Sequence, residues 1–443
     1  MAFAKQSHGF DAAIRGAHAL TAPKPTRVRL GVLVFLCAAA VIAYVHRTCI
    51  SVDATTIRKE LDLSEEQMGW VMSGFFLTYS ILQIPSGWMG NAWGTRKALT
   101  LFSLIGSTSV LAMGCAWSFF SLLTTRWLAG AAQAGLFPCS VNSISKWFPP
   151  SERAFPNGML GGFMAVGGIL ATAVTGVLLE FLDWRTVFLL FSIPGFLWTV
   201  SFHLWFRDTP AEHSQVNEEE RQWIGESDTT MSRYVTPWRT IFTDPVLVML
   251  YTQQFFRAGG YVFYTTWFPT FLQEAHGVSR KESGYWTSLP LLGAAIGNMA
   301  GGVFTDWLMK RTGSERISRQ AVGVISQILC ALLFFLAYAL EEVQPVVIAI
   351  SCGALFFGFG SCVAYTAAID LGGKQVATVF STMNMGGNIG ATVCPALVPL
   401  VKQSFQGWDA VLFFFALVYA SAAFCWAFVN PRHRPFAWQE QAT

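Results

Sequence analysis

The sequence predicts an all-α membrane protein: twelve transmembrane helices in two six-helix bundles, with both termini in the cytoplasm. Three observations carry that expectation. Of the 443 residues, 53% are hydrophobic and only 12% are charged, where a soluble domain carries about 25% charged residues; the mean hydropathy is +0.45. Twelve apolar segments can be laid along the chain, each near or above the ~20 residues that a helix needs to cross the hydrocarbon. The two halves of the chain also repeat one another.

Residues 1–29 are polar and basic and lack a short apolar core followed by a cleavage site, so they read as a cytoplasmic tail and not as a signal peptide. The first bundle occupies 30–206, with spans at 30–57, 66–91, 97–117, 119–147, 154–181 and 185–206. Arg29 and Arg58 bracket its first segment. A polar linker follows at 207–243, in which Glu218, Glu219, Glu220, Arg221 and Trp223 have the pattern of a short amphipathic helix at the membrane surface. The second bundle occupies 244–430, with spans at 244–274, 281–308, 318–340, 343–370, 375–403 and 408–430, and residues 431–443 form a C-terminal tail. Glycines inside the spans, such as Gly161, Gly162, Gly167 and Gly168, let helix backbones approach closely in a membrane.

Orientation follows from basic residues in the short loops. One side collects Lys24, Arg27, Arg29, Arg96, Lys97, Lys146, Arg153, Lys310, Arg311, Arg316, Arg319, Lys374, Arg432 and Arg434, and the other side is poorer in them. That places both tails inside, which needs an even number of spans. The repeat is visible in spacing. Ser64, Gly69-Trp70, Gly87 and Asn91 in the first half match Ser279, Gly284-Tyr285, Gly302 and Asp306 in the second, at intervals of five, eighteen and four residues. Parallel repeats of six spans are a known transporter construction.

Several function classes are disfavoured. A net charge of +3 without a basic run gives no footprint for nucleic acid. Nine scattered cysteines form neither a CxxC nor a Cys/His cluster, so no metal site, cofactor or disulfide framework is expected. The few histidines are unpaired, and no nucleophile with a base is visible, so the chain does not read as an enzyme. A solute sensor is opposed by the lack of a large soluble domain.

The chemistry lies in charge buried among apolar segments. Arg47, in the first span, carries an insertion cost of roughly 2.5–3.5 kcal/mol near a helix centre, and a chain that bears such a cost usually uses the charge. Arg126, in the fourth span, is its expected companion. Counted from the cytoplasmic helix ends, the two lie roughly 26 and 30 Å along antiparallel helices, at a similar level. Two guanidinium forks at one level suit an acidic solute. Tyr44 shares a face with Arg47, Tyr79 offers a hydroxyl from the second span, and Gln133 lies two turns from Arg126. His46 is the only histidine deep in a span and is the candidate proton carrier. In the second half, Asn384 and Asn388 share a face of the eleventh span, and Ser361 and Tyr365 share a face of the tenth. Arg257, in the seventh span, either holds a second anionic group or braces its own bundle.

At this point the chain resembles the major facilitator superfamily. Residues 87–97, GWMGNAWGTRK, are similar to the superfamily's loop motif G-x-x-x-D-R-x-G-R-K, with Gly87, Gly94 and Arg96 in place and Asn91 where the motif has its acid. The second copy, GGVFTDWLMKRTG, keeps the acid as Asp306. Within the superfamily the chain resembles the anion:cation symporters, through YVHRTCISVDATTIRKELDLSEEQMGW, RWLAGAAQAGLFPCSVNSISKWFPPSERA, DTPAEHSQVNEEERQWI and NMGGNIG. The resemblance implies a multi-pass, monomeric protein of the bacterial inner membrane that moves a small organic carboxylate, such as a sugar acid, by alternating access. It implies a proton as co-substrate and no cofactor. It assigns Arg47 and Arg126 to substrate and coupling, and Tyr44, Tyr79, Ser361 and Asn384 to the lining of the solute site. Two departures matter: the family's first-span Asp-Arg pair is His46-Arg47 here, and its fourth-span acid is Gln133. Either His46 substitutes, or coupling differs, or the protein exchanges anions. Arg47, Gln133 and Arg257 together are similar to the organophosphate:phosphate antiporters, which makes exchange without proton coupling the alternative.

Overall fold

Three apolar segments break beside a proline, while Pro194 and Pro290 lie inside helices that stay whole. The computed structural model describes residues 24–225, 236–404 and 407–436; most of the two tails expected at 1–29 and 431–443 lies outside the described residues. The first span is Val28–Val52 (α1), and Ala54–Glu60 (α2) is a separate short helix. The span expected at 30–57 is therefore too long. Asp53 ends α1 and starts α2, and a short acidic side chain competes with helical backbone bonds. Ser64 then opens a capping box with Gln67. The second span is two helices, Glu65–Ile81 (α3) and Gln83–Trp93 (α4), because the ring of Pro85 clashes with the carbonyl four residues back, at Ile81. Gly94, at φ +84°, makes the turn into the third span, Thr95–Gly114 (α5); only glycine takes that backbone freely. The fourth span breaks as the second does, into Phe119–Ala134 (α6) and Leu136–Trp147 (α7), with Pro138 four residues beyond Ala134. The fifth and sixth are Ala154–Leu178 (α8) and Trp184–Trp205 (α9).

In the linker, Glu218–Ile224 (α10) is the expected short helix, and Trp238–Thr243 (α11) precedes the second bundle. Glu220 of α10 is fully buried. Its carboxylate accepts from the backbone N–H groups of Val28 and Arg29 and pairs with the Arg29 guanidinium at 3.2 Å. The linker thus supplies the N-terminal cap that α1 lacks from its own sequence, at the helix end that favours an anion.

The seventh span is Pro245–Thr266 (α12) and Phe268–His276 (α13), broken beside Pro269. Ser279, with a second capping box to Glu282, opens the eighth, Arg280–Thr312 (α14). A π-helical turn, Arg316–Ala321, leads into the ninth, Val322–Tyr338 (α15). The last three are Val343–Gly372 (α16), Val376–Ser404 (α17) and Trp408–Phe428 (α18).

Helix pairing repeats with a shift of six spans. In the first half the pairs are α1 with α8, α3 with α6, and α5 with α9; in the second they are α12 with α17, α14 with α16, and α15 with α18. The halves meet through α4 and α7 against α17, and through α8 against α14 and α16. Large apolar side chains such as Val34, Phe181, Leu204, Ile348 and Phe424 face outward, while Arg126, Gln133, Gln253 and Arg257 are buried within. This is a multi-pass integral membrane protein, with polar groups turned away from lipid.

Candidate functional site

The site is built from α1, α3 and α6 on one side and α12, α16 and α17 on the other. On the first side Arg47 Nε and Nη2 both donate to Gln133 Oε1, at 3.3 and 3.2 Å, and Gln133 Nε2 donates to the Ala43 carbonyl. The amide therefore fixes the guanidinium without cancelling its charge. Tyr44, Phe75 and Tyr79 each present a ring 4.8 Å from the same guanidinium carbon, a cation–π enclosure open on its remaining N–H side. Arg126 is 2% exposed. Its Nε and Nη1 reach the carbonyls of Val71 and Arg47 at 3.4 Å, and it shares the Phe75 ring with Arg47. The expected companionship of the two arginines is thus direct: Arg126 bonds the backbone of Arg47.

On the second side Arg257, also 2% exposed, donates through Nε and Nη2 to Gln254 Oε1, at 3.1 and 2.9 Å, and through Nη1 to Ser361. Phe357 and Tyr365 lie over it at 4.6 and 6.0 Å. The NMGGNIG segment explains how Gln254 is held. A Cβ at Gly390 would strike the Phe255 carbonyl at 1.9 Å, and one at Gly387 would strike Gln254 at 3.0 Å. The glycines let α17 lie directly on α12. Among the described residues no carboxylate pairs with Arg47, Arg126 or Arg257 within 4 Å.

The two sides are joined at this level. Asn384 Nδ2 donates to the Tyr79 hydroxyl at 3.3 Å across the halves, and the rings of Phe137 and Tyr365 meet across them at 5.4 Å. Asn388 is partly buried and its Nδ2 has no hydrogen-bond partner among the described residues. His46 stands apart. It is 3% exposed and its Nε2 lies 2.9 Å from the Phe191 carbonyl, so that nitrogen carries the proton and donates. It faces α5 and α9, on a small internal cavity of about 20 Å³ that Ser103 and Gln133 also line; that is room for about one water. Gln133 thus touches both Arg47 and the histidine's cavity.

Apart from Asn384 with Tyr79, the described hydrogen bonds and ion pairs between the halves gather at one end. Asn91 Nδ2 donates to Thr378, and Asn91 Oδ1 accepts from the Ala377 N–H at the start of α17. Asp306 accepts from the N–H groups of Ala154 and Phe155 at the start of α8. The two matched positions therefore do the same thing: each caps the first turn of a helix in the other half. Asn91 retains this contact without a charge. Gly87 and Gly302 sit one turn earlier, where a Cβ would meet the Ala377 and Ala154 carbonyls at 2.5 and 2.6 Å. Arg96 takes no part in it; it bonds the His203 carbonyl and Asp208 within its own half. Sequence reasoning missed the rest of this end. Asp370 pairs with Arg153 across the halves and with Arg319, which itself bonds the Pro150 carbonyl, and Lys310 pairs with Glu152. Asp370 is the one acid in the apolar run 343–372, a signal that could have found it. At the opposite end Glu60 with Arg185, and Glu274 with Lys402, stay within their own halves.

A family model described as the Major Facilitator Superfamily matches residues 36–374 and 314–442. The chain is 30% identical over 411 residues to a probable sulfoacetate transporter of Cupriavidus necator, covering 91% of this chain and 94% of that protein. It is 25% identical over 429 residues to a probable galactarate/D-glucarate transporter of Escherichia coli K12, and 26% identical over 421 residues to a D-galactonate transporter of Escherichia coli O6:H1, each covering 91% of this chain and 94% of the relative. Among solved structures, a proton:xylose symporter bound to 6-bromo-6-deoxy-D-glucose has a TM-score of 0.72 at 14% identity, covering 91% of this chain and 96% of that one. A superfamily transporter in the outward conformation has a TM-score of 0.70 at 13% identity, covering 90% and 98%.

Proposed function

The chain belongs to the Major Facilitator Superfamily, and on that premise we propose that it is a secondary transporter of a small organic anion of the sugar-acid or sulfo-acid class, driven by proton symport. One observation carries the reading: the guanidiniums of Arg126 and Arg257 are buried and that of Arg47 is half-buried, held by amides, a hydroxyl and carbonyls, with no carboxylate to neutralise them among the described residues. Buried charge without a counterion is costly, and an anionic solute relieves that cost. The named relatives are transporters of sugar acids and of sulfoacetate, which agrees with the charge of the site.

In this reading residues 30–206 and 244–430 are the two moving halves and 207–243 is their linker. The basic loops put the joined end on the cytoplasmic side, so the arrangement described is open outward. Solute enters from outside and binds Arg47 and Arg126, with Tyr44, Tyr79, Gln133, Ser361, Asn384 and Asn388 available to its hydroxyls. Rocking then breaks the caps made by Asn91 and Asp306 and opens the other end. Coupling runs through His46, whose cavity shares Gln133 with Arg47: a proton on His46 adds positive charge beside the amide that positions the substrate arginine. The test is uptake of labelled organic acids into proteoliposomes. Arg47→Ala should abolish uptake while the protein still inserts, and normal uptake by that variant would remove the site.

A second reading is favoured by Gln133. With an amide where a carboxylate would take protons, the site is also suited to anion exchange without proton coupling, phosphate against a phosphate ester included. Strong trans-stimulation by phosphate loaded inside the vesicles, insensitive to a pH gradient, selects exchange.

A further inference from the structure

We infer that the transported anion has two negative heads, one taken by Arg47 with Arg126 and the other by Arg257 across the cavity. This rests on the transport reading above and narrows it. Arg47 and Arg126 form one positive locus, since they share the Phe75 ring and Arg126 bonds the Arg47 carbonyl. Arg257 is a separate locus on the other half. It faces the first half, because Tyr79, whose ring lies over Arg47, meets Asn384 of α17, and Gly387, one turn on, lies against Gln254, the partner of Arg257; Tyr365, over Arg257, also meets the Phe137 ring of the first half at 5.4 Å.

The bland role for Arg257 is to brace its own bundle. A bracing arginine would be expected on an acid, and the one acid of α16, the helix that carries Ser361, is Asp370, nine residues on and about 13 Å along the axis. Asp370 is instead committed to Arg153 and Arg319 at the joined end. Arg257 is left with one amide, three residues away on its own helix, and one hydroxyl. Those partners orient the fork and leave its charge whole, as Gln133 does for Arg47. The two loci are therefore built alike, an arginine on a glutamine amide among aromatic rings, once in each half.

A solute with one carboxylate would neutralise one locus and leave the other a buried, uncompensated cation. A two-headed anion neutralises both. It also pulls the halves together at the level where Tyr79 and Asn384 already meet, which couples occupancy to closure. Two arginine loci set apart in this way select the number and spacing of charges more than the identity of each head, because a guanidinium fork donates to carboxylate and sulfonate oxygens alike.

Matched probes test this on purified protein by calorimetry: D-glucarate against D-gluconate, and sulfoacetate against ethanesulfonate. The two-headed member of at least one pair should bind tenfold or more tightly than its one-headed partner, and which pair does so identifies the second head. Arg257→Gln should bring that ratio to within about threefold, and Arg257→Lys, which keeps the charge without the fork, should retain part of it. Equal binding within both pairs overturns the inference while leaving anion transport standing. So does an Arg257→Lys protein that elutes and melts as wild type yet weakens one-headed and two-headed probes equally. Binding of none of the four overturns the transport reading and this inference with it.

Discussion

Replacing Arg126 with glutamine should move ligand affinity and ligand-free stability in opposite directions. Arg126 is 2% exposed, and its hydrogen bonds among the described residues are two long ones, at 3.4 Å, to backbone carbonyls. Arg47 lies close enough to repel it. An anionic head about 4 Å from the guanidinium, at an effective dielectric constant of about 20, is held by about 4 kcal/mol. Truncating one member of a buried charge pair typically costs about 2–5 kcal/mol. At roughly 1.4 kcal/mol per decade, Kd should rise about 30- to 3000-fold. Without ligand the balance reverses. Two weak hydrogen bonds, worth about 1 kcal/mol each at most, are lost, but so is the desolvation of an unpaired charge, and neutral replacement of buried ions is often stabilising by about 1–4 kcal/mol. The assay is a pair of measurements on the same preparation: a melting curve without ligand, and calorimetric titration with the tightest-binding organic acid. Expected are a melting midpoint no lower than wild type and a binding isotherm that has all but vanished. A midpoint that drops while Kd stays within threefold would refute the reasoning, since it would make Arg126 a structural brace.

Three further outcomes are expected. Asn91→Asp should strengthen the cap on α17, because a carboxylate at a helix N-terminus is worth about 0.3–1 kcal/mol more than a neutral group; spin-label distances across the joined end should show that end closed in a larger fraction of molecules, and an unchanged distribution would count against the cap as a gate. Glu220→Gln turns one of two buried acceptor oxygens into a donor facing Thr26, Val28 and Arg29, and should lower stability by about 2–4 kcal/mol, read as a lower melting midpoint. Finally, His46→Gln, which can keep a donor toward the Phe191 carbonyl, should weaken the stimulation of uptake by an inward proton gradient; an unchanged response removes His46 from coupling.

What the sequence made legible was whatever repeats at long range. Ser64 and Ser279 do open matching helices with matching capping boxes, and Gly87/Asn91 and Gly302/Asp306 make the same contacts in mirrored places. The charge pattern located Arg47, Arg126 and Arg257 because an arginine in an apolar run is a strong signal whatever surrounds it. Helix direction was harder to read. His46 and Arg47 are neighbours in sequence, yet about 100° of helical rotation sends one into the bundle and the other into the cavity. The breaks beside Pro85, Pro138 and Pro269 were overlooked because hydropathy averages across them, and a proline alone does not mark a break, since Pro194 and Pro290 lie inside continuous helices. Asp370 stood out as the lone acid of an apolar run and was overlooked, but its pairing with Arg153 and Arg319 was not legible: the three are far apart in sequence, and only the packing of one half on the other brings them together.

The broken spans and the site are connected. Eight stretches among the described residues are long and apolar enough to cross a membrane by themselves, and one of these, 343–394, covers both the tenth and eleventh spans. The second, fourth and seventh spans are missing from that set. They are the ones interrupted at Leu82, Gly135 and Trp267, and they carry Tyr79, Arg126, Gln133, Gln254 and Arg257. A helix that presents such groups is too polar along one face to lie well in lipid alone, and its freed backbone groups need protein around them. It must be held by more apolar helices, as α5 with α9 and α15 with α18 provide at the outside of each half. The same helices that are interrupted, and so weakened as independent spans, carry the polar groups of the site in both halves. On the proposed reading the architecture places charge where it is costly in the empty protein, and the departure of that cost when an anion binds is the source of the affinity on which transport would depend.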